Sequence, residues 1–201
     1  DSKHLFTVTD VKMSEDKNDL LVHYFVFNSK FEIVKRCPSL PNLGPIMYFA
    51  SENGMVTVYG NTDAAKVTVD PLSATKDPIV FDLVKNFKYK FKVYNGKVLP
   101  NGEAVICGLY GPLNANGWSG CYKIRFDKDG YLDEDNTTWY DFRDNNTGLT
   151  SFYPSSAKIT ENGDVFLGLG QDKNFHTIGL IGEETVWSRA VPYHHNNTPY
   201  Y

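Results

Sequence analysis

The sequence predicts an all-β protein of about four blade-like antiparallel sheets, and three observations support this. Short apolar runs alternate with polar residues at a period of two, between clusters of turn residues. Tyr, Phe and Trp make up 14% of the 201 residues, and aromatic residues favour pleated, half-buried surfaces. No stretch of a dozen residues shows the 3.6-residue period of an amphipathic helix.

Asn-Gly pairs indicate where hairpins turn. They occur at Asn53-Gly54, Asn101-Gly102 and Asn162-Gly163, each followed by an apolar run. We expect type I′ turns there, in which both central residues have a positive φ. A glycine closes each of these runs, and the irregular spacing of the turns brackets the roughly 40–50 residues of a propeller blade.

The first half of the chain contains two such units. "MSEDKNDLLVHYFVF" (13–27) and "ASENGMVTVYGN" (50–61) each join a polar turn to an apolar strand. "AKVTVDP" (65–71) and "PIVFDLV" (78–84) add further strands. In the former, Val67 and Val69 alternate with polar neighbours, which predicts one buried face.

The second half repeats the scheme. "KNFKYKFK" (85–92) is interpreted as a strand with one wet face, because lysines alternate with apolar residues. "VLPNGEAVICGLYG" (98–111), "CYKIRFDKDG" (121–130) and "TTWYDF" (137–142) follow. "ITENGDVFLGLGQ" (159–171) and "FHTIGLIGEETVWSR" (175–189) form the last unit.

Such sheets must stack, because one sheet alone cannot bury both of its faces. We therefore predict a β-propeller-like repeat domain over residues 1–190, with a β-sandwich as the alternative. Residues 191–201, "VPYHHNNTPYY", show no alternation and are predicted to be an extended C-terminal arm. Its tyrosines would dock on another copy of the chain or on a further part of a larger polypeptide. The alternative is that this arm is a disordered chain end.

One unit has a more specific pattern. Residues 97–142, from "KVLPNGEAVICGLYG" through "GCYKIRFDKDGYLDEDNTTWYDF", resemble the delta-sixty repeat, a bacterial and phage β-propeller blade family. The matching positions are Pro100, Asn101, Gly102, Ile106, Gly108, Asp129, Gly130, Leu132 and Asp133. The resemblance implies a propeller with a binding or scaffold role and no catalytic residues.

Composition and charge exclude several classes of protein. The net charge is −4, whereas nucleic-acid binding normally requires a basic patch, so no nucleic-acid partner is expected. No apolar stretch approaches 18 residues, and we expect no membrane insertion. The three cysteines form no disulfide framework, and Cys107, in an apolar run, is predicted to be a buried free thiol. No cofactor is predicted.

The densest acidic cluster is "DKDGYLDEDN" (127–136). Its register differs from that of an EF-hand, because Gly130 follows Asp129 directly. We favour a β-turn with solvated carboxylates, and so predict no metal site. If calcium does bind there, its ligands are Asp127, Asp129 and Asp133.

The loop "GPLNANGWSG" (111–120) is the predicted binding site. Binding residues concentrate on loops that a rigid scaffold holds, and this loop carries a single tryptophan. The binding residues we select are Trp118, Asn114, Asn116 and Tyr110. Trp118 either stacks on a sugar or anchors a protein partner, or it folds back over the edge of a sheet.

The predicted function is a non-enzymatic binding or assembly module. By resemblance, it is a structural or receptor-binding component of a phage virion, such as its tail, or of a bacterial surface protein. Its partners would be proteins, further copies of itself or a surface glycan, at a virion or extracellular location. No catalytic motif occurs in the sequence. Glycoside hydrolysis needs only two carboxylates, however, and the alternative is therefore a glycan-degrading enzyme (a glycoside hydrolase or lyase) on a propeller scaffold.

Overall fold

A computed structural model describes residues 6–13, 20–36, 40–41, 46–60, 62–71, 79–142, 153–171, 174–181 and 184–192. These residues form an all-β fold of four four-stranded antiparallel sheets and one short helix. The all-β prediction is therefore confirmed. Among the residues described, no helix is long and apolar enough to cross a membrane.

The strands follow the sheets in chain order. The first sheet contains β1 (Phe6–Met13), β2 (Leu20–Phe27), β3 (Ile33–Arg36) and β4 (Leu40–Pro41). The second contains β5 (Ile46–Ser51), β6 (Gly54–Tyr59), β7 (Lys66–Pro71) and β8 (Ile79–Asp82), followed by α1 (Leu83–Phe87). The third contains β9 (Tyr89–Val98), β10 (Ala104–Pro112), β11 (Gly120–Phe126) and β12 (Leu132–Asp141). The fourth contains β13 (Tyr153–Ile159), β14 (Val165–Gln171), β15 (Asn174–Ile181) and β16 (Glu184–Pro192).

The last three sheets are simple meanders, in which each strand pairs with its neighbour in sequence. In the first sheet, β3 and β4 both pair with β2. The first strands of consecutive sheets also lie against one another, β1 with β5, β5 with β9, and β9 with β13. The four sheets are therefore arranged side by side, with their first strands adjacent.

The third sheet is buried on both faces, which explains the nearly continuous apolar run of β10. Ala104 and Ile106 point into a core shared with the second sheet. Val105, Cys107 and Leu109 point into a core shared with the fourth sheet. A strand covered on both sides needs no polar alternation.

Aromatic rings fill much of the core between the second and third sheets. Trp139 on β12 lies at their centre, with its ring 5.0 Å from those of both Phe87 and Tyr110. Both contacts are edge-on, the arrangement that aromatic quadrupoles favour. These contacts connect α1 to the outer strand of the third sheet.

The prediction of type I′ turns is wrong. At the β9–β10 turn, the Leu99 amide donates to the Glu103 carbonyl (2.7 Å) and the Gly102 amide to the Leu99 carbonyl (3.0 Å). Gly102 has a φ of +88°, whereas Asn101 is not among the residues with a positive φ. This is the pattern of a three-residue loop, a type I turn followed by a G1 bulge.

The same pattern recurs at Thr160–Asp164, with Gly163 at +87°, and at the Asp127–Tyr131 turn, with Gly130 at +89°. Only the glycine of each loop needs the left-handed conformation. The Asn101 side chain accepts a hydrogen bond from the Glu103 amide (3.1 Å), which stabilises the longer loop. At the β5–β6 turn, Ser51 pairs with Gly54, and the loop residues Glu52 and Asn53 also lack a positive φ.

The prediction of a strand over residues 85–92 is wrong at its start, because α1 occupies Leu83–Phe87. The Asp82 carboxylate accepts a hydrogen bond from the Lys85 amide (2.8 Å), an N-cap that starts a helical turn. Lys88, at φ +61°, ends it. From Tyr89 onward the chain is a strand, as predicted.

Polar contacts fasten the sheets to one another. The Ser51 hydroxyl donates to the Val98 carbonyl (3.1 Å), between the second and third sheets. Lys97 forms an ion pair with Glu161 (2.5 Å), between the third sheet and the first turn of the fourth. The first strands are thus held by hydrogen bonds and charge as well as by packing.

The predicted C-terminal arm starts within a strand. Val191 and Pro192 belong to β16, where they pair with Phe175 and Asn174 of β15. Residues 193–201 lie outside the described part of the chain.

Candidate functional site

A pocket lies between loops of the second and third sheets and has a volume of about 300 Å³. Its lining combines the β6–β7 loop, the start of β9 and the β10–β11 loop. The lining residues are Thr62, Asp63, Lys90, Leu113, Asn114, Ala115 and Asn116.

The β6–β7 loop is held against the third sheet by its backbone. The Phe91 amide of β9 donates to the Thr62 carbonyl over 2.7 Å. Gly60 turns the chain into this loop at φ +92°, and a Cβ there would lie 2.2 Å from the Ala64 carbonyl oxygen. The tight turn therefore requires glycine and places Thr62 and Asp63 beside the start of β9.

The β10–β11 loop is fixed at its base. The Ser119 amide donates to the Tyr110 carbonyl (2.8 Å), and the Ser119 carbonyl accepts from the Phe142 amide (2.9 Å). Gly111 lies so close to the loop that a Cβ would be 2.8 Å from the Gly117 carbonyl oxygen. The loop that carries Asn114 and Asn116 is therefore closed on itself.

Lys90 connects the loop to β9. Its ammonium donates to the Ala115 carbonyl over 2.6 Å and lies 5.1 Å from the centre of the Trp118 ring. Trp118 is half-buried and packs against the core between the third and fourth sheets. The indole is thus in contact with the protein's own core and with a lysine cation.

The side chains that line the pocket are mostly polar, and their charges sum to zero. Asp63 and Lys90 contribute one negative and one positive charge, while Asn114, Asn116 and Thr62 contribute amide and hydroxyl groups. Such groups both donate and accept hydrogen bonds.

Only two of the four predicted binding residues line the pocket. Asn114 and Asn116 line the pocket, and Trp118 lies beside it against Lys90. Tyr110 is only 5% exposed and packs on Tyr89, with 5.1 Å between ring centres. Burial and the nearby Asp141 raise the pKa of Tyr110, so it is a neutral core residue and does not line the pocket.

Sequence reasoning missed Thr62, Asp63 and Lys90. The polar stretch "GNTDAA" (60–65) signals a loop. No local pattern indicates that this loop meets the β10–β11 loop of another sheet.

The acidic cluster forms turns. The Asp127 carboxylate accepts from the amides of Asp129 and Tyr131, each over 2.9 Å. The Asp133 carboxylate accepts from the backbone amide (3.2 Å) and the side-chain amide (2.8 Å) of Asn136. Within the described ranges, no group of three His, Cys, Asp or Glu residues is arranged to hold a metal ion.

Two thiols lie in the core between the third and fourth sheets. Cys107 and Cys121 are both fully buried and free, which confirms the prediction for Cys107. Burial raises the pKa of Cys107 to about 12 and that of Cys121 still further. Neither thiol has the thiolate character of a nucleophile at neutral pH.

No known protein family and no curated protein matches the chain. A protein of unknown function from Bacteroides caccae has a similar structure, with a TM-score of 0.47 and 14% identity over 94% of this chain. The chain spans 58% of that protein's length. A luciferin-regenerating enzyme gives a TM-score of 0.28 and 13% identity, over 95% of this chain and 77% of its own.

Proposed function

We propose that the four sheets are blades of a β-propeller-like domain and that the chain is a non-enzymatic binding or assembly module. Adjacency of β1, β5, β9 and β13 supports the propeller, because the first strand of each blade lies next to the shared axis. A sandwich has two sheets, each with one inner face, whereas here the third sheet is covered on both faces.

The resemblance to the delta-sixty repeat supports the same proposal. The matching residues, 97–142, begin at the end of β9 and extend past β12. The repeat would thus account for most of the third sheet, including the turns at Gly102 and Gly130.

The pocket is the observation that carries the binding role. Loops from two sheets converge there on a rigid scaffold, which is where binding residues concentrate. By resemblance, the module belongs to a phage virion or a bacterial surface protein. Its partner is then a protein, another copy of the chain or a surface glycan.

Glycan degradation has no comparable support. Hydrolysis by the common mechanism requires two carboxyl groups flanking the bond, and among the described residues that line the pocket only Asp63 carries a carboxylate.

Binding to intact bacterial cells tests this function. The chain, labelled at its N-terminal amine, is incubated with a panel of bacteria, and sedimentation velocity measures self-association in parallel. Asn116→Arg adds one positive charge in the pocket, where it should abolish the interaction by steric and charge mismatch. Tyr131→Arg adds the same charge at a turn residue that is 60% exposed and is not part of the pocket lining, and it should have no effect.

Loss of binding or self-association in Asn116→Arg alone supports the proposal. Equal behaviour of both variants, or a chain that neither binds cells nor self-associates, overturns it.

A further inference from the structure

We infer that the pocket between the β6–β7 and β10–β11 loops binds an uncharged, hydroxyl-rich ligand of one or two sugar rings. This inference rests on the proposed binding function and specifies its ligand class. The pocket's volume of about 300 Å³ is at the lower end of the range for small-molecule sites.

Charge balance in the lining favours a neutral ligand. Asp63 would repel an anion, and the cation of Lys90 is already directed at the Ala115 carbonyl and the Trp118 ring. An anionic ligand would therefore meet the Asp63 carboxylate, and a cationic ligand would meet the Lys90 ammonium, whose charge a carbonyl and a ring do not cancel. A neutral ligand avoids both repulsions.

Hydroxyl groups match the remaining polar atoms. A carboxylate such as that of Asp63 can accept from two neighbouring hydroxyls, and an amide such as Asn114 or Asn116 can donate and accept at once. A sugar ring presents hydroxyls that do both.

Apolar surface lies at the same place. Leu113, which lines the pocket, is 38% exposed. A sugar ring has an apolar C–H face as well as its hydroxyl edge, and the exposed Leu113 side chain can cover that face.

Lys90 is a positioning residue in this arrangement. Its bond to Ala115 holds the loop that carries Asn114 and Asn116, and it orders the loop before a ligand arrives. Preorganisation of this kind lowers the entropic cost of binding.

The test compares three ligands built on one ring: glucose, glucuronate and glucosamine, which are neutral, anionic and cationic at pH 7. Galactose, mannose, N-acetylglucosamine, maltose and cellobiose extend the neutral set. Saturation-transfer NMR on the full chain detects binding at roughly millimolar Kd, the range expected for so small a ligand. At least one neutral sugar should bind at least about five-fold more tightly than glucuronate and glucosamine.

Variants locate the site. Asn114→Ala and Asn116→Ala should each raise Kd about five-fold, and Tyr131→Ala should leave Kd unchanged. Lys90→Met should raise Kd for every neutral sugar and shift the Trp118 indole N–H resonance in the free protein. Lys90→Arg should restore both, because arginine also donates to a carbonyl and lies over aromatic rings.

Preference for glucuronate overturns the inference and indicates an anion site at Lys90. Preference for glucosamine overturns it in favour of a cation site at Asp63. If none of these sugars binds while cells still bind the chain through Asn116, the ligand class is wrong and the proposed function stands. If cells do not bind and the chain does not self-associate, the proposed function itself fails.

Discussion

The side-chain amide of Asn95 on β9 donates a hydrogen bond to the backbone carbonyl of Ala157 on β13 over 2.9 Å. A β-bulge places it there, because the pairing of β9 with β10 shifts by one residue between Cys107 and Gly108. The Asn95 side-chain oxygen Oδ1 accepts a hydrogen bond from the Gly96 amide (2.8 Å), so one side chain stabilises the bulge and joins two sheets.

Replacing Asn95 with aspartate should separate these two roles. Aspartate still accepts from the Gly96 amide, but it places an acceptor against the Ala157 carbonyl, where a donor is needed. We expect Asn95→Asp to lower the free energy of unfolding by about 1–3 kcal/mol. Urea unfolding measures this, with Asn101→Asp as a control, since the exposed Asn101 side chain accepts a hydrogen bond from the Glu103 amide and an aspartate can accept it too. Equal loss in both variants would refute the inter-sheet role.

The left-handed conformation of Gly102 makes a second prediction. At φ +88°, a β-branched residue is strained, and Gly102→Val should destabilise the protein by roughly 1–3 kcal/mol. Asparagine tolerates this conformation better, so Gly102→Asn should cost clearly less. Thermal unfolding of the two variants, compared with the parent chain, provides the test. An unchanged melting temperature for Gly102→Val would show that the turn does not need glycine.

Calcium should leave the protein's stability unchanged. Asp127 and Asp133 already accept hydrogen bonds from amides, and the described residues contain no metal-ligating group of three. The melting temperature in 5 mM calcium chloride should therefore equal that in EDTA. Asp127→Ala should cost about 1 kcal/mol under both conditions, because it removes the acceptor of its turn. A rise in melting temperature with calcium that Asp127→Ala abolishes would reveal a metal site.

The strands of the third sheet are the part of the fold that the sequence predicts best. The alternation of β11 requires Tyr122, Ile124 and Phe126 to share a face, and all three lie in the core with the second sheet. Strand periodicity depends only on neighbouring residues, and for that reason it is visible in the sequence.

Features that depend on the alignment of distant segments could not be predicted. The type of the Asn101-Gly102 turn depends on whether the loop has two or three residues, which strand register decides. The helix at Leu83 is a separate case, because its signal, the cap by Asp82, is local but is hidden by the alternation of lysines. The pocket joins Thr62 to Lys90, and their proximity depends on how two sheets pack.

Alkaline pH should weaken the protein through its buried thiols. Burial raises the pKa of Cys107 from its ordinary value of 9.0 to about 12. The folded state therefore holds this proton more tightly than the unfolded state does, so the contribution to stability is complete below about pH 9. It is lost progressively as the pH rises from 9 to 12, because the unfolded thiol ionises first.

Cys107→Ala isolates this effect. Removing the thiol should reduce the slope of unfolding free energy against pH between pH 9 and 11, by up to about 1.4 kcal/mol per pH unit, the value for one proton. Below pH 8, the variant should differ from the parent chain only by a constant, which reflects lost packing. Urea unfolding at pH 8, 9, 10 and 11 measures both slopes.

Since Cys121 and Tyr59 also have raised pKa values, the variant should still lose some stability in this range. If the plots of unfolding free energy against pH run parallel for parent and variant up to pH 11, Cys107 ionises as readily in the folded protein as in the unfolded chain. The core between the third and fourth sheets would then admit water.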